Sequence, residues 1–227
     1  NIHLVSAQTF EQYIQASSDD AEEKFDGSYV TTSSSDLEMV YDSWNSQELQ
    51  TLGLRFDNIA IPANSLITNA YIQFTADGSS SGANTMTIRG EDVSNSLTFA
   101  DATNNISGRT ATTANVLWAS IPSWSDNQAG VAQRTPDLSS IVTEIITSNG
   151  WQNGNPMSFI INGTGTVSER RKAYSIDEDP AKSAKLVIQY SSLSDVDLSV
   201  NSVFCPTDSI ETNIVTKRRF LKILIDL

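Results

Sequence analysis

Apolar and polar residues alternate with a period of two along much of this 227-residue chain, which restricts its fold more than any other feature. Residues 67–76 show it most clearly. Ala70, Ile72, Phe74 and Ala76 fall on one face, and Tyr71, Gln73 and Thr75 on the other. Such a run buries one side of a pleated strand and leaves the other to solvent. Residues 9–16 repeat the pattern, with Phe10, Gln12, Ile14 and Ala16 opposed to Glu11, Tyr13 and Gln15. Residues 37–41, 52–56, 86–91, 116–118, 157–161 and 186–190 are shorter apolar-rich runs of the same style. Gly, Asn, Asp and Pro punctuate them, as in the turn cluster at 77–83. The expected fold is all-β: a jelly-roll-like antiparallel β-sandwich.

One segment has a different period. Leu138, Ile141, Val142 and Ile145 follow i, i+3, i+4, i+7 spacing, which predicts one short amphipathic helix over about 137–148. Thr135 is placed to cap it, Pro136 to occupy its first position and Asp137 to complement its dipole. Asn149 and Gly150 end it.

Composition removes several classes of chemistry. Cys205 is the only cysteine and His3 the only histidine. An internal disulfide and a Cys-based zinc site are therefore excluded, and a Ser-His-Asp centre would have to be built on a histidine three residues from the N-terminus. The net charge of −13 opposes binding to nucleic acid phosphates. No apolar run reaches the ~18 residues of a membrane-spanning helix. The chain opens on Asn1 and is rich in Ser, Thr and Asn, the expectation for a mature bacterial protein that is secreted or on the cell surface.

Charge is unevenly distributed. Residues 1–50 carry ten acidic residues and one lysine, hence −9 of the total −13. Asp19, Asp20, Glu22 and Glu23 lie within five positions, with Glu38 beyond them. Such a cluster either sits in a solvated loop or holds a hard cation, and these five residues are the candidate ligands of a structural calcium.

Cations and aromatic rings mark candidate binding residues. Trp44, Trp124 and Trp151 stand in polar, turn-like contexts, while Trp118 follows Val116 and Leu117 and reads as core. A loop indole either plugs the core or offers a flat face to sugar C–H groups, and Tyr174 offers the same. Arg89, Arg109, Arg134, Arg170, Arg171, Lys172 and Lys185 all follow the acidic segment. They either pair with the excess acids or form a cationic surface for carboxylates or sulfates. Nucleotide-loop, serine-hydrolase and zinc-protease motifs are absent, and Glu91, Asp92 and Glu169 lack the spacing of a glycosidase pair.

The order of short motifs resembles the secreted bacterial DNRLRE-type domains. It runs from Ser17-Ser18-Asp19-Asp20 through Leu54-Arg55-Phe56 and Ile61-Pro62 to Ala70-Tyr71-Ile72-Gln73-Phe74. It continues through Thr135-Pro136-Asp137-Leu138, Gly150-Trp151 and Ala173-Tyr174-Ser175 to Leu186-Val187-Ile188-Gln189-Tyr190. The resemblance covers about residues 10–190. It implies a sandwich module attached to a larger secreted protein and related to carbohydrate-binding modules for acidic algal polysaccharides such as alginate.

The expected organisation is a sandwich over 1–190, followed by a linker and C-terminal extension, or the start of a further domain, over 191–227. The expected function is non-catalytic binding of an anionic polysaccharide, uronate or sulfated. Arg89, Arg109, Arg134, Arg171 and Lys172 would supply the charge, and Trp44, Trp124, Trp151 and Tyr174 the stacking faces. The alternatives are a structural or adhesive surface module and, further off, a polysaccharide lyase or hydrolase. No nucleic acid partner and no membrane insertion are expected.

Overall fold

A strand with one apolar face needs a second layer to cover it, and this chain supplies that layer from its own distant segments. The computed structural model describes residues 2–42, 48–166 and 168–196. The strands are β1 (Ile2–Tyr13), β2 (Asp20–Lys24), β3 (Val30–Thr31), β4 (Asp36–Met39), β5 (Tyr41–Asp42), β6 (Glu48–Phe56), β7 (Leu66–Gln73), β8 (Thr85–Glu91), β9 (Ala111–Ala119), β10 (Met157–Thr164), β11 (Arg171–Tyr174) and β12 (Lys185–Val196). One helix, α1 (Ser139–Thr147), completes the set. Among the described residues the chain is an all-β sandwich with a single short α-helix.

All strand pairing is antiparallel. The smaller sheet runs β1-β12-β7. The larger runs β3-β2-β6-β10-β8-β9, with β5 also on β6, and β4 pairs with β11. The alternating residues meet between the layers. Leu52, Leu54 and Phe56 of β6, Phe159 and Ile161 of β10, and Met86 and Ile88 of β8 share one core with Ala70, Ile72, Phe74, Leu186 and Ile188. Each fully buried side chain of this size contributes about 1.5–3 kcal/mol. Trp118 belongs to this core, with its ring 6.1 Å from that of Phe74.

The helix begins later than its periodicity predicts. Thr135 does not cap it: its Oγ1 accepts the Ile72 amide at 3.0 Å, and its own amide donates to the Ile72 carbonyl. Residues 134–135 therefore run alongside β7, consistent with the extended backbone favoured before a proline. Asp137 Oδ1 accepts the Ser139 amide and also that of Ala70, both at 2.9 Å. Burial of Ile141, Val142, Ile145 and Ile146 seats α1 on the core. The Glu144 carboxylate pins it to β9, accepting the Thr113 and Ala114 amides at 2.7 Å each.

The closing strand does not stop at Tyr190. β12 pairs with β1 from Lys185 opposite Tyr13 to Val196 opposite Ile2, so the expected linker at 191–195 is strand, where Ser, Leu and Asp follow the ladder of their neighbour. Cys205 and the rest of the expected C-terminal extension or further domain, residues 197–227, lie outside the described residues.

Gly90 sits where α1 crosses β8. A Cβ there would lie 2.7 Å from Ile145 Cδ1 and 2.8 Å from Ile141 Cγ2. Gly90→Ala is expected to push the helix off the sheet at a cost of about 1–3 kcal/mol. The urea midpoint would fall without a change of slope.

Candidate functional site

The acidic segment is a strand, and its alternation scatters the carboxylates that were expected to share a calcium ion. On β2, Asp20 and Glu22 oppose the core residues Leu54 and Leu52, whereas Ala21 and Glu23 oppose Gly53 and Thr51. Each acid has its own partners. Asp19 pairs with Arg55 at 2.6 Å. Asp20 accepts the Ile176 amide at 3.0 Å. Glu22 accepts the Glu38 amide at 2.8 Å and Gln50 Nε2 at 2.7 Å. Glu23 accepts the Ile106 and Ser107 amides at 2.6 and 3.0 Å. Glu38 pairs with Arg170 at 3.0 Å. Of the five, Glu38 lines an open cleft, together with Asp36 and Asp42. Among the described residues, no group of three or more His, Cys, Asp or Glu side chains is placed to hold a metal ion.

Desolvation dominates the electrostatics of these groups. It raises the carboxyl of Asp19 against the opposing pull of Arg55. It pushes Asp20 up to about 7. It lifts Glu22 well above the ordinary range, helped by repulsion from Glu38, and one Glu22 oxygen has no hydrogen-bond partner among the described residues. Glu38 also rises to about 7, through burial and then the neighbouring Asp36 and Asp42.

Most of the expected ligand residues are committed inside the fold. Arg171 is fully buried. Its guanidinium donates to the carbonyls of Ile121, Glu169, Gly82 and Pro122 at 2.7–3.0 Å, so it staples loops instead of facing a ligand. Arg109 pairs with Glu91 at 2.8 Å, donates to the carbonyls of Leu97, Thr98 and Asn105, and lies over the Phe99 ring. Lys172 bridges Asp36 and Asp77 at 2.5 and 3.2 Å. Trp124 and Trp151 are core, not loop platforms. Their indole N–H groups donate to the carbonyls of Ala132 and Ile61 at 2.8 and 3.0 Å, which lets polar-flanked tryptophans be buried. Lys182 covers the Tyr174 ring at 4.2 Å. Trp44 lies outside the described residues.

Arg134 and Arg89 remain open, on different sheets. Arg134 stands at the edge of β7, bridged to Gln73, so a row crosses the small sheet as Tyr13, Lys185, Gln73, Arg134. Tyr71 lies in the next row. The Arg134 guanidinium lies 3.9 Å above the Tyr71 ring and its Nε donates to Gln73 Oε1 at 3.2 Å. It pairs with no carboxylate among the described residues. Lys185 Nζ sits 5.4 Å from the Tyr13 ring centroid and 2.9 Å from Glu11. These side chains line a shallow cleft of about 270 Å³. Arg89 is exposed on the outer face of β8, in a cleft that Arg109 also borders.

Tyr13 and Tyr71 were absent from the expected aromatic set. Their signal was the alternation itself: both fall on the polar parity of an amphipathic strand, where an aromatic ring has no core to fill.

Two measurements follow. Arg171→Met keeps the stem but strips the donors from four carbonyls, and is expected to cost about 3–5 kcal/mol. That is roughly 10 °C of melting temperature for a chain of this size. The raised carboxyls bind protons more tightly folded than unfolded. Their stabilisation is therefore complete below the ordinary carboxylate range and is lost as pH rises through about 7. The melting temperature is expected to fall by about 5 °C or more between pH 5 and pH 8. Glu22→Gln, which keeps an acceptor for the Glu38 amide, should flatten that profile. A pH-independent melting temperature would contradict the assignment.

Compared with known proteins, the chain is matched by no family model and by no curated protein.

Proposed function

We propose that the chain is a non-catalytic carbohydrate-binding module of a secreted or cell-surface protein, and that it binds an anionic polysaccharide on the outer face of β1, β12 and β7. The observation that carries this reading is Arg134. Its guanidinium is held flat on Tyr71, anchored through one nitrogen to a neutral amide and unpaired with any carboxylate among the described residues. Its remaining N–H groups form a fork that matches a carboxylate or sulfate. Stacking on the ring fixes its orientation before a ligand arrives, which lowers the ordering cost of binding.

Lys185 supplies a second positive charge two strands away, at roughly 10 Å by strand spacing. The two cations are thus set to meet separate charges along one extended sugar chain. Tyr13, which is 41% exposed, offers ring edge and hydroxyl beside them. A net charge of −13 does not oppose the reading, because the field a ligand meets is set by the groups facing it.

The resemblance to DNRLRE-type modules supports the same reading. Its strand motifs lie on β6, β7, β11 and β12, and Thr135-Pro136-Asp137-Leu138 leads into α1. Attachment to a larger secreted protein belongs to that resemblance and forms part of the proposal.

Electrophoresis through gels containing alginate, a sulfated galactan or a neutral glucan tests it. Retardation is expected in an anionic gel, weakening as salt is raised. An Arg134→Ala, Lys185→Ala double variant should lose affinity by about tenfold or more, since a charge-assisted contact contributes ~1.5–3 kcal/mol. Equal, unretarded mobility in all three gels would overturn the proposal in favour of a structural or adhesive module.

A further inference from the structure

The larger sheet carries a second cleft whose chemistry is separate from that of the Arg134 face. Met86 and Ile88 of β8 and Phe159 and Ile161 of β10 point into the core, so Thr87, Arg89, Ile160 and Asn162 point outward. Register aligns them in two rows. Gly53, Ile160, Arg89 and Asn115 form one, and Asn162, Thr87 and Leu117 the next.

The segment between β8 and β9 folds over one side as a wall. Phe99 lies on Gly53, where a Cβ would meet the ring at 2.5 Å, so this position has to be glycine for the wall to close. Phe99 and Ile106 join Ala21, Val30 and Ile160 in a small apolar cluster of their own. Arg109 anchors the wall through the contacts already described. Between wall and strands a groove of about 350 Å³ stays open, lined by Thr51, Thr87, Arg89, Ser107, Ile160 and Asn162 among others.

Three polar side chains on the strand floor of this groove are uncommitted. Arg89 makes no side-chain hydrogen bond or ion pair among the described residues, and neither Thr87 nor Asn162 makes a side-chain hydrogen bond there. The adjoining acids are matched: Glu91 by Arg109 and the Ser96 hydroxyl, Glu23 by the two amides of Ile106 and Ser107. One unpaired guanidinium, hydroxyl and amide groups, and the apolar Ile160 with exposed Leu117 at its edge fit an anionic sugar unit flanked by sugar hydroxyls and C–H faces.

We propose that this groove is a second anionic-sugar site, so that the module holds two polysaccharide chains, one on each sheet. The inference rests on the glycan-binding reading of the preceding subsection. The two faces look in opposite directions across the core, so one extended chain does not serve both.

An NMR titration of the labelled protein with a uronate tetrasaccharide, and in a parallel arm with a sulfated galactan tetrasaccharide, separates the possibilities and identifies the anion. Shifts are expected for the amides of Thr87, Arg89 and Asn162 as well as those of Tyr71, Gln73 and Lys185. Arg89→Ala should erase the first set alone. Because Arg89 is exposed and unpartnered, the variant keeps the fold, as the same spectra report. Long-chain polysaccharide should become turbid with the wild-type protein and stay clear with either Arg89→Ala or the Arg134→Ala, Lys185→Ala double variant. Shifts confined to Tyr71, Gln73 and Lys185 would overturn the second site and leave the first reading standing. Shifts confined to the groove would overturn the two-chain arrangement. No shifts with either sugar would overturn the glycan-binding reading and the second site with it.

Discussion

Burying carboxylates on β2 is possible here because remote segments deliver donors to them. A carboxylate taken out of water without partners costs several kcal/mol, and this strand places Asp20, Glu22 and Glu23 where almost no solvent reaches. Backbone amides of Glu38, Ile106, Ser107 and Ile176, together with Gln50, converge on them. With Asp19 bound to Arg55, the acidic segment becomes the point to which four separate stretches of chain are tied. The raised carboxyls record what remains unmet after those bonds are made, most clearly at Glu22, where one oxygen has no partner among the described residues. Carboxyl groups and the backbone amides they accept hold this edge of the structure together.

Arg171 answers the same constraint with the opposite sign. Loops that turn inward carry carbonyls that need donors, and one buried guanidinium serves several of them at once. Arg109 does similar work for the segment that covers the larger sheet. These commitments divide the basic residues into two groups. Those that hold loops are buried or paired, and Arg134 and Arg89, which pair with no carboxylate among the described residues, stand on the outer faces, with Lys185, bridged to Glu11, beside Arg134. The fold thus sorts a scattered set of cations into scaffold and surface, and the functional reading rests on the second group.

Strands and helix were legible because their signal is local. In residues 67–76 and 52–56 the parity of apolar side chains alone states which face meets the core, and Ile72 and Leu54 are fully buried as that parity requires. The spacing of Ile141, Val142 and Ile145 announced α1 in the same way, although its first turn gave way to the extended backbone before Pro136. β2 was not legible as a strand. Polar residues occupy both of its parities, so no alternation of hydrophobicity marks it, and its partners lie up to 156 positions away. Trp124 and Trp151 misled for a related reason. Polar neighbours suggested surface loops, whereas the loops roll inward and hand each indole a backbone carbonyl. Tyr13 and Tyr71 were readable in principle, as rings on the solvent side of alternating strands.

The sequence by itself determined that this is an all-β sandwich with a short helix, which residues of the alternating runs face its core, and that no disulfide forms within it. Steric alternation and helical spacing act between near neighbours, so they are written in the local order of residues. Only the tertiary structure decided which charges are spent and which face outward. Pairing between an acid and a base or an amide depends on where loops from distant positions arrive, and nothing in the neighbourhood of Arg134 or Arg171 distinguishes the surface cation from the buried one.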